Sequence, residues 1–458
     1  MVLNIKNYTQ KQRRDSENEN IGLGLHFICQ SAIHVLIIVS LLKDNAFWMT
    51  LTVGIALIYA CFSDIEEIFY LIAGLSIYQF SFTINGNNAV FMLVGIFLVK
   101  MMIRNRFLLT KSTVCLWCAL IILIIQCAND VWIESKGEFL VVLVFICFFL
   151  YIISNIEVLH FDVLKFLLYY SMAVILCSIY VFNTYGGIVI YIKQFLRDPN
   201  AYRFGIEESL AVGGAMEIPL YCLMVLSVSV IALIYKKNLE WWKRLSIGAV
   251  CFYVLIIGAL TVSRSFLLGV GVLIFFSFIV LLRKNVYLFL QTLLVFFACL
   301  IVFYLIFPEL FEKIIFNFFS RIEGDYGGGT GRTWIWKECL TYLWEHPLNL
   351  FFGGGASRYL TFGSGKGFTI SAGAHNLIID VLMSWGIIGL GCFLILIITS
   401  LFYLYKKYGF CLGAYLPFLT YLAFSMTALR TTSLTTWAYL IATLLVIAKI
   451  TKENTNDS

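Results

Sequence analysis

A chain of 458 residues that is 61% hydrophobic and only 13% charged is not an ordinary soluble domain, in which about a quarter of the residues carry charge. The net charge of +6 would suit nucleic acid, but the basic residues are scattered between apolar runs and form no basic domain. Membrane lipids, not nucleic acid, are the expected surroundings.

About twenty apolar residues cross a bilayer core. On that measure, spans are predicted near 24–42, 46–62, 68–84, 88–103, 112–128, 138–154 and 163–182, then 214–235, 245–262, 266–282, 286–307, 386–405, 409–428 and 433–449. The expected fold class is an all-α, polytopic integral membrane protein with about fourteen transmembrane helices. No cleavable leader is expected, because MVLNIKNYTQKQRRD stays polar too long before the first apolar run. Twelve of the 13 cysteines lie in or beside apolar runs, so no disulfide framework is expected. The CxxC of Cys115 and Cys118 sits in a predicted span without a second pair and reads as core.

Positive charge stays on the cytoplasmic side. With the N-terminus inside, 19 of the 32 Lys and Arg residues fall in inner segments, against four in the short outer connections. Both termini are therefore expected in the cytoplasm. Two outer segments are long: about 183–213 and about 308–374. The chain thus divides into a first helical part, 1–307, one large extracytoplasmic loop, 308–374, and a returning segment with the last helices, 375–458. Within the large loop, a helix is predicted from near Thr330 or Thr333, ending before Pro347, because the residue ahead of a proline is pushed out of helical geometry.

Four outer features could carry chemistry. Ser263-Arg264-Ser265 is wedged between two spans with almost no loop; an arginine there asks for a partner, or else reaches out to the headgroups. In GDYGGGTGRTWIW, a Gly-rich stretch leads into a helix whose first turn carries Arg332. Free amides at a helix start plus a guanidinium suit a phosphate or pyrophosphate, although loop glycines alone would also explain the run. It lacks the GKS or GKT of a nucleotide-binding loop. Ala374-His375-Asn376 stands where the large loop returns to the membrane. Neutral imidazole can take a proton from a sugar hydroxyl near neutral pH, whereas an interfacial histidine can equally be structural. Finally Arg197, Arg203, Arg358 and Arg430 place positive charge on the outer side against the usual bias, which favours an anionic ligand or lipid headgroups.

In this order, SRS, TGRTWIW, EHPLNLFFGGG (345–355) and AHNLIIDVLMSWGIIG (374–389) resemble the O-antigen polymerase and ligase superfamily, over roughly residues 261–404. Ten residues separate Arg203 from Gly214, similar to an Arg-x10-Gly spacing of some polymerases. The resemblance implies a GT-C-like membrane glycosyltransferase acting on undecaprenyl-pyrophosphate-linked oligosaccharide. Arg264 and Arg332 would hold the donor pyrophosphate, and His375 would orient or deprotonate the acceptor hydroxyl. Arg203, Arg197, Asn376, Arg430 and Arg358 would help bind substrate. No cofactor and no metal is expected, since guanidinium groups can take up the leaving group's charge. A polysaccharide chain-length regulator is a candidate protein partner. The resemblance leaves open a polymerase of O-antigen or capsule and a ligase that passes finished glycan to lipid A core or protein. A sequence rich in Phe (41 residues) with only 5 Pro leans towards a variable surface-polysaccharide polymerase. A flippase of lipid-linked oligosaccharide is the alternative of another class; it would carry ionisable residues at mid-membrane.

Overall fold

The structure is a computed structural model and describes residues 24–456, except 80, 85–86, 105–111, 134–137, 200, 206–211, 213, 237–238, 324–331, 355–359, 364–368, 373 and 429–432. The protein is a multi-pass all-α membrane protein. Eight helices among the described residues are long and apolar enough to cross a bilayer.

In chain order the helices begin with α1 (Gly24–Lys43), α2 (Ala46–Phe62), α3 (Ile65–Leu75) and α4 (Val90–Arg104). Next come α5 (Thr113–Ile133), α6 (Glu138–Ser154), α7 (Val163–Thr184) and α8 (Ile188–Arg197). The middle of the chain gives α9 (Gly214–Tyr235), α10 (Trp241–Leu260), α11 (Arg264–Lys284), α12 (Val286–Ile306) and α13 (Pro308–Glu323). The last part holds α14 (Arg332–Glu345), α15 (Pro347–Phe352), α16 (Leu377–Tyr408), α17 (Leu416–Ala428) and α18 (Leu434–Asn456). Two small antiparallel hairpins complete it: β1 (Thr83–Ile84) with β2 (Asn87–Asn88), and β3 (Leu360–Gly363) with β4 (Thr369–Ala372).

Apolar side chains all round a helix leave its place to be decided by packing, and the bundle sorts its helices into centre and rim. The apolar window of α18 is 94% buried, whereas that of α10 is 22% buried. On α12, Leu294, Leu305 and Tyr287 are exposed, as side chains facing lipid would be.

In three places the chain departs from the predicted spans. The segment 68–84 is not one helix. α3 stops at Leu75, a 3-10 turn covers Ser76–Tyr78, and the β1–β2 hairpin leads directly into α4. Non-helical backbone at this depth needs protein around it, and Ile77, Tyr78, Phe82, Ala89 and Val90 are fully buried. Gln79 ties the break down. Its amide donates to Ser433 Oγ and Thr435 Oγ1, both at 3.1 Å, and its carbonyl oxygen accepts from Leu434 N at 2.9 Å. The outer segment 183–213 is not all loop: α8 lies in it, with Tyr191 and Phe195 buried one turn apart and Ile188, Val189 and Ile190 exposed. α16 begins well ahead of the predicted span at 386 and is kinked there, at Gly386 (φ 67°). Residues 387–408 alone span about 33 Å, enough for a hydrocarbon core. The first nine residues of α16 are therefore available to form the base of the large loop.

The predicted loop helix is α14. It ends at Glu345; His346 stacks on Tyr342, with ring centroids 4.3 Å apart, and its Nδ1 lies 2.8 Å from the Tyr342 carbonyl oxygen. Pro347 then opens α15, where its missing N–H costs nothing.

Candidate functional site

Helix directions and a few hydrogen bonds assemble one end of the bundle. α10 ends at Leu260 and α11 begins at Arg264, so SRS is a tight helix-to-helix turn. Ser263 caps α11, its Oγ accepting from Phe266 N at 3.4 Å, and Thr261 Oγ1 donates back to Gly258 O at 2.6 Å. The Phe266 ring lies on Gly258, where a Cβ would meet its Cζ at 2.1 Å and push the ring aside. Val262 has φ 50°. That conformation is a real outlier for a β-branched residue. Arg264 is half-buried at the first turn of α11.

The shorter outer segment lies against this turn. Phe204 is buried among Phe182 and Tyr191 and donates its backbone N–H to Leu260 O at 3.1 Å. Arg203 precedes it, half-buried, with a buried Nε that lacks a hydrogen-bond partner among the described residues. Burial pushes its pKa down from the usual arginine value, so it carries a charge that a nearby anion would relieve. Arg197 is exposed at the end of α8.

The large loop reaches the same end from the other side. Trp336 Nε1 donates to Ala374 O at 2.7 Å, and Cys339, Leu343, Ala374 and Met383 form a small separate core. Burial first, then Asp380 of α16, pushes the Cys339 thiol up to about 11, which places α14 across the start of α16. Arg332, of which only the backbone is described, is the first residue of α14 and stands one turn ahead of Trp336 on the same helix face. His375 follows the carbonyl that Trp336 holds. It is half-buried, with φ 51°. Left-handed backbone in a non-glycine residue costs on the order of 1–3 kcal/mol and is kept where the surroundings impose it, often at functional sites.

Asn376 has a structural part. Its Oδ1 accepts from Ile378 N (3.0 Å) and Ile379 N (3.2 Å), capping α16. Its Nδ2 donates to Met426 O at 2.9 Å, at the end of α17. α17 packs along α11, so this bond links the His375 turn to the SRS turn. Arg358 and Arg430 lie outside the described residues.

Sequence reading missed what holds the loop base in place. Gly353 (φ 72°) and Gly386 (φ 67°) face one another backbone to backbone. A Cβ on Gly353 would meet the Ser384 carbonyl at 2.3 Å, and one on Gly386 the Phe351 carbonyl at 2.3 Å. Gly354 N donates to Met383 O at 2.8 Å. Asn129 of α5 donates to both Phe352 O (3.1 Å), at the end of α15, and Ser384 O (3.2 Å), beside the kink of α16. Beside it Trp385 Nε1 donates to Gln126 Oε1 (2.8 Å), and Gln126 Nε2 to Asp130 Oδ1 (2.6 Å). The run QCAND within an otherwise apolar helix was the available signal.

Three helices therefore start at this end, at Arg264, Arg332 and Leu377. Each start carries the partial positive charge of a helix dipole. An anion could be held there, with an imidazole beside it. Among known proteins, residues 249–394 match a family model described as O-antigen ligase. No curated protein and no solved structure matches the chain. The matched segment carries Arg264, Arg332 and His375, and over that segment the chain is similar to the O-antigen ligase family.

Proposed function

We propose that the protein is a bacterial surface-polysaccharide polymerase working on the outer face of the inner membrane. The growing glycan leaves its undecaprenyl pyrophosphate and is joined to the terminal sugar of a new lipid-linked repeat unit. The observation that carries this reading is the pair of bonds Trp336–Ala374 and Asn376–Met426, which tie the start of α16 to α14 on one side and to the end of α17, the helix packed along α11, on the other.

In the proposed reaction, His375 takes the proton of the acceptor hydroxyl as its oxygen forms the new bond to the anomeric carbon. The bond from that carbon to the pyrophosphate oxygen breaks, and its electron pair leaves with the diphosphate. Arg264, Arg332 and the helix amides beside them stabilise the charge that develops there. Such preorganised donors are often the largest single contribution to catalysis. Because guanidinium groups supply the positive charge, the reading is metal-independent. Because the step is a single displacement, it inverts the anomeric configuration; a linkage that retained the donor's configuration would contradict it. Arg203, relieved of part of its burial cost by an anion, and Arg197 would line the approach of the lipid-linked substrate.

The family description favours a second reading, a ligase that passes finished glycan to lipid A core or protein. The glycan profile of a strain lacking the gene separates the two. A polymerase leaves single-repeat glycan on the surface, a ligase leaves polymer on its carrier, and a flippase leaves no surface glycan.

A further inference from the structure

The opposite end of the bundle holds a groove that the proposed reaction does not use. α7 and α10 are joined by a hydrogen bond between Ser178 Oγ and the Tyr253 hydroxyl. Nearer their N-terminal ends they leave a cavity of about 470 Å³. Trp242, near the start of α10, is 18 residues from Leu260, or about 27 Å along the helix. The groove therefore opens at the other membrane surface from Arg264, about one hydrocarbon thickness away.

Its lining is graded along the membrane normal. At the mouth stand Lys165 on α7 and Lys243 on α10, with the Trp242 ring beside Lys243 at 5.1 Å from its Nζ. Deeper, Leu167, Leu168, Ile247 and Val250 form the walls. Ser246 adds little polarity, because its hydroxyl donates to Trp242 O of its own helix at 2.9 Å. From Trp242 to Val250 the groove runs about 12 Å, close to the depth of one leaflet's hydrocarbon.

Among the residues that line the groove the formal charges sum to +1, Lys165 and Lys243 against Asp162. Asp162 also lines it, but its Oδ1 accepts from Leu164 N (2.7 Å) and Lys165 N (3.0 Å) and so serves the start of α7. Glu240 pairs with Lys243 at 3.4 Å, both side chains about half exposed, an arrangement too weak to hold the ammonium from a better partner. Glu67 faces Lys165 from α3. Two lysines, an interfacial tryptophan and an aliphatic slot one leaflet deep are the pattern of a phospholipid site.

We propose that this groove holds an anionic phospholipid of the leaflet opposite the reaction site, one acyl chain between α7 and α10 and the phosphate between Lys165 and Lys243. The inference is independent of whether the enzyme is a polymerase or a ligase.

The full chain, reconstituted in nanodiscs with equal parts of phosphatidylglycerol and phosphatidylethanolamine, would be analysed for retained lipid by native mass spectrometry. Phosphatidylglycerol should be retained in preference. Lys165→Gln and Lys243→Gln should each reduce that preference about fivefold, and Val250→Trp, which fills the slot, should abolish retention of both lipids. Equal retention of the two lipids by the unaltered protein overturns the proposal without recourse to any variant. A preference unchanged in both lysine variants does the same.

Discussion

The two membrane faces of this bundle are built on different principles. At the end opposite the site, helix termini are closed by side-chain ion pairs, each joining an exposed group to a partly buried one. Lys236 meets Glu453 at 2.8 Å, Arg104 meets Glu66 at 3.6 Å, and Lys407 meets Glu157. At the site end the chain is held by backbone contact: a glycine against a glycine, a tryptophan and two asparagines on main-chain carbonyls, and Val262 and His375 in left-handed conformations. Such ion pairs tolerate variation of distance and angle, whereas backbone contacts do not. The end that, on the proposed function, brings acceptor and donor together is thus the end held by backbone contact.

The contrast can be broken where it should be most fragile. His375→Ala and Arg332→Ala should leave a protein that inserts normally but whose host shows only single-repeat glycan, a fall in polymer of at least about a hundredfold. Immunoblotting or silver staining of surface glycan measures it. Arg332→Lys should be nearly as poor, because charge remains while the planar fork is lost.

The glycine contact comes next. Gly386→Ala or Gly353→Ala would set a Cβ 2.3 Å from main-chain atoms, and alanine at these φ values adds on the order of 1–3 kcal/mol of strain. The base of the large loop should come away, read as faster proteolysis of residues 332–372 in outward-facing membranes and loss of long glycan. Asn129→Ala removes two hydrogen bonds to main-chain carbonyls and should cost about 1–3 kcal/mol, seen as a lower thermal midpoint in detergent. The smallest effect belongs to the opposite end. Glu157→Gln loosens a partly exposed ion pair worth under about 1 kcal/mol, so glycan profile and thermal midpoint should both stay as they were.

Much of this was legible in the sequence, for physical reasons that also mark the limits. Hydropathy locates apolar helices because lipid selects side chains by polarity; the predicted spans at 46–62, 138–154 and 286–307 coincide with α2, α6 and α12 within a residue. It cannot tell lipid from protein interior, so it ran a single span through 68–84, where protein surrounds a broken helix held by Gln79. An outer loop could be read from charge and length, but α8 within it could not, since an amphipathic helix at an interface is less apolar overall. The motif residues Arg264, Arg332 and His375 stood out because arginine and histidine are conspicuous at a membrane surface. For Asn129 the polar run 126–130 was visible, but not its partners, main-chain carbonyls more than two hundred residues away. The reciprocal fit of Gly353 and Gly386 explains why EHPLNLFFGGG and MSWGIIG occur together, yet neither motif alone reveals the other.

Everything turns on the three helix starts lying side by side beyond the lipid. Arg332→Cys with His375→Cys, and Arg264→Cys with His375→Cys, placed in a chain cleared of its native cysteines, would be treated in intact cells with a short, membrane-impermeant thiol cross-linker. Both pairs should join rapidly from outside. Failure of either pair to join while each single cysteine is labelled, or labelling only after the membrane is opened, would contradict the account.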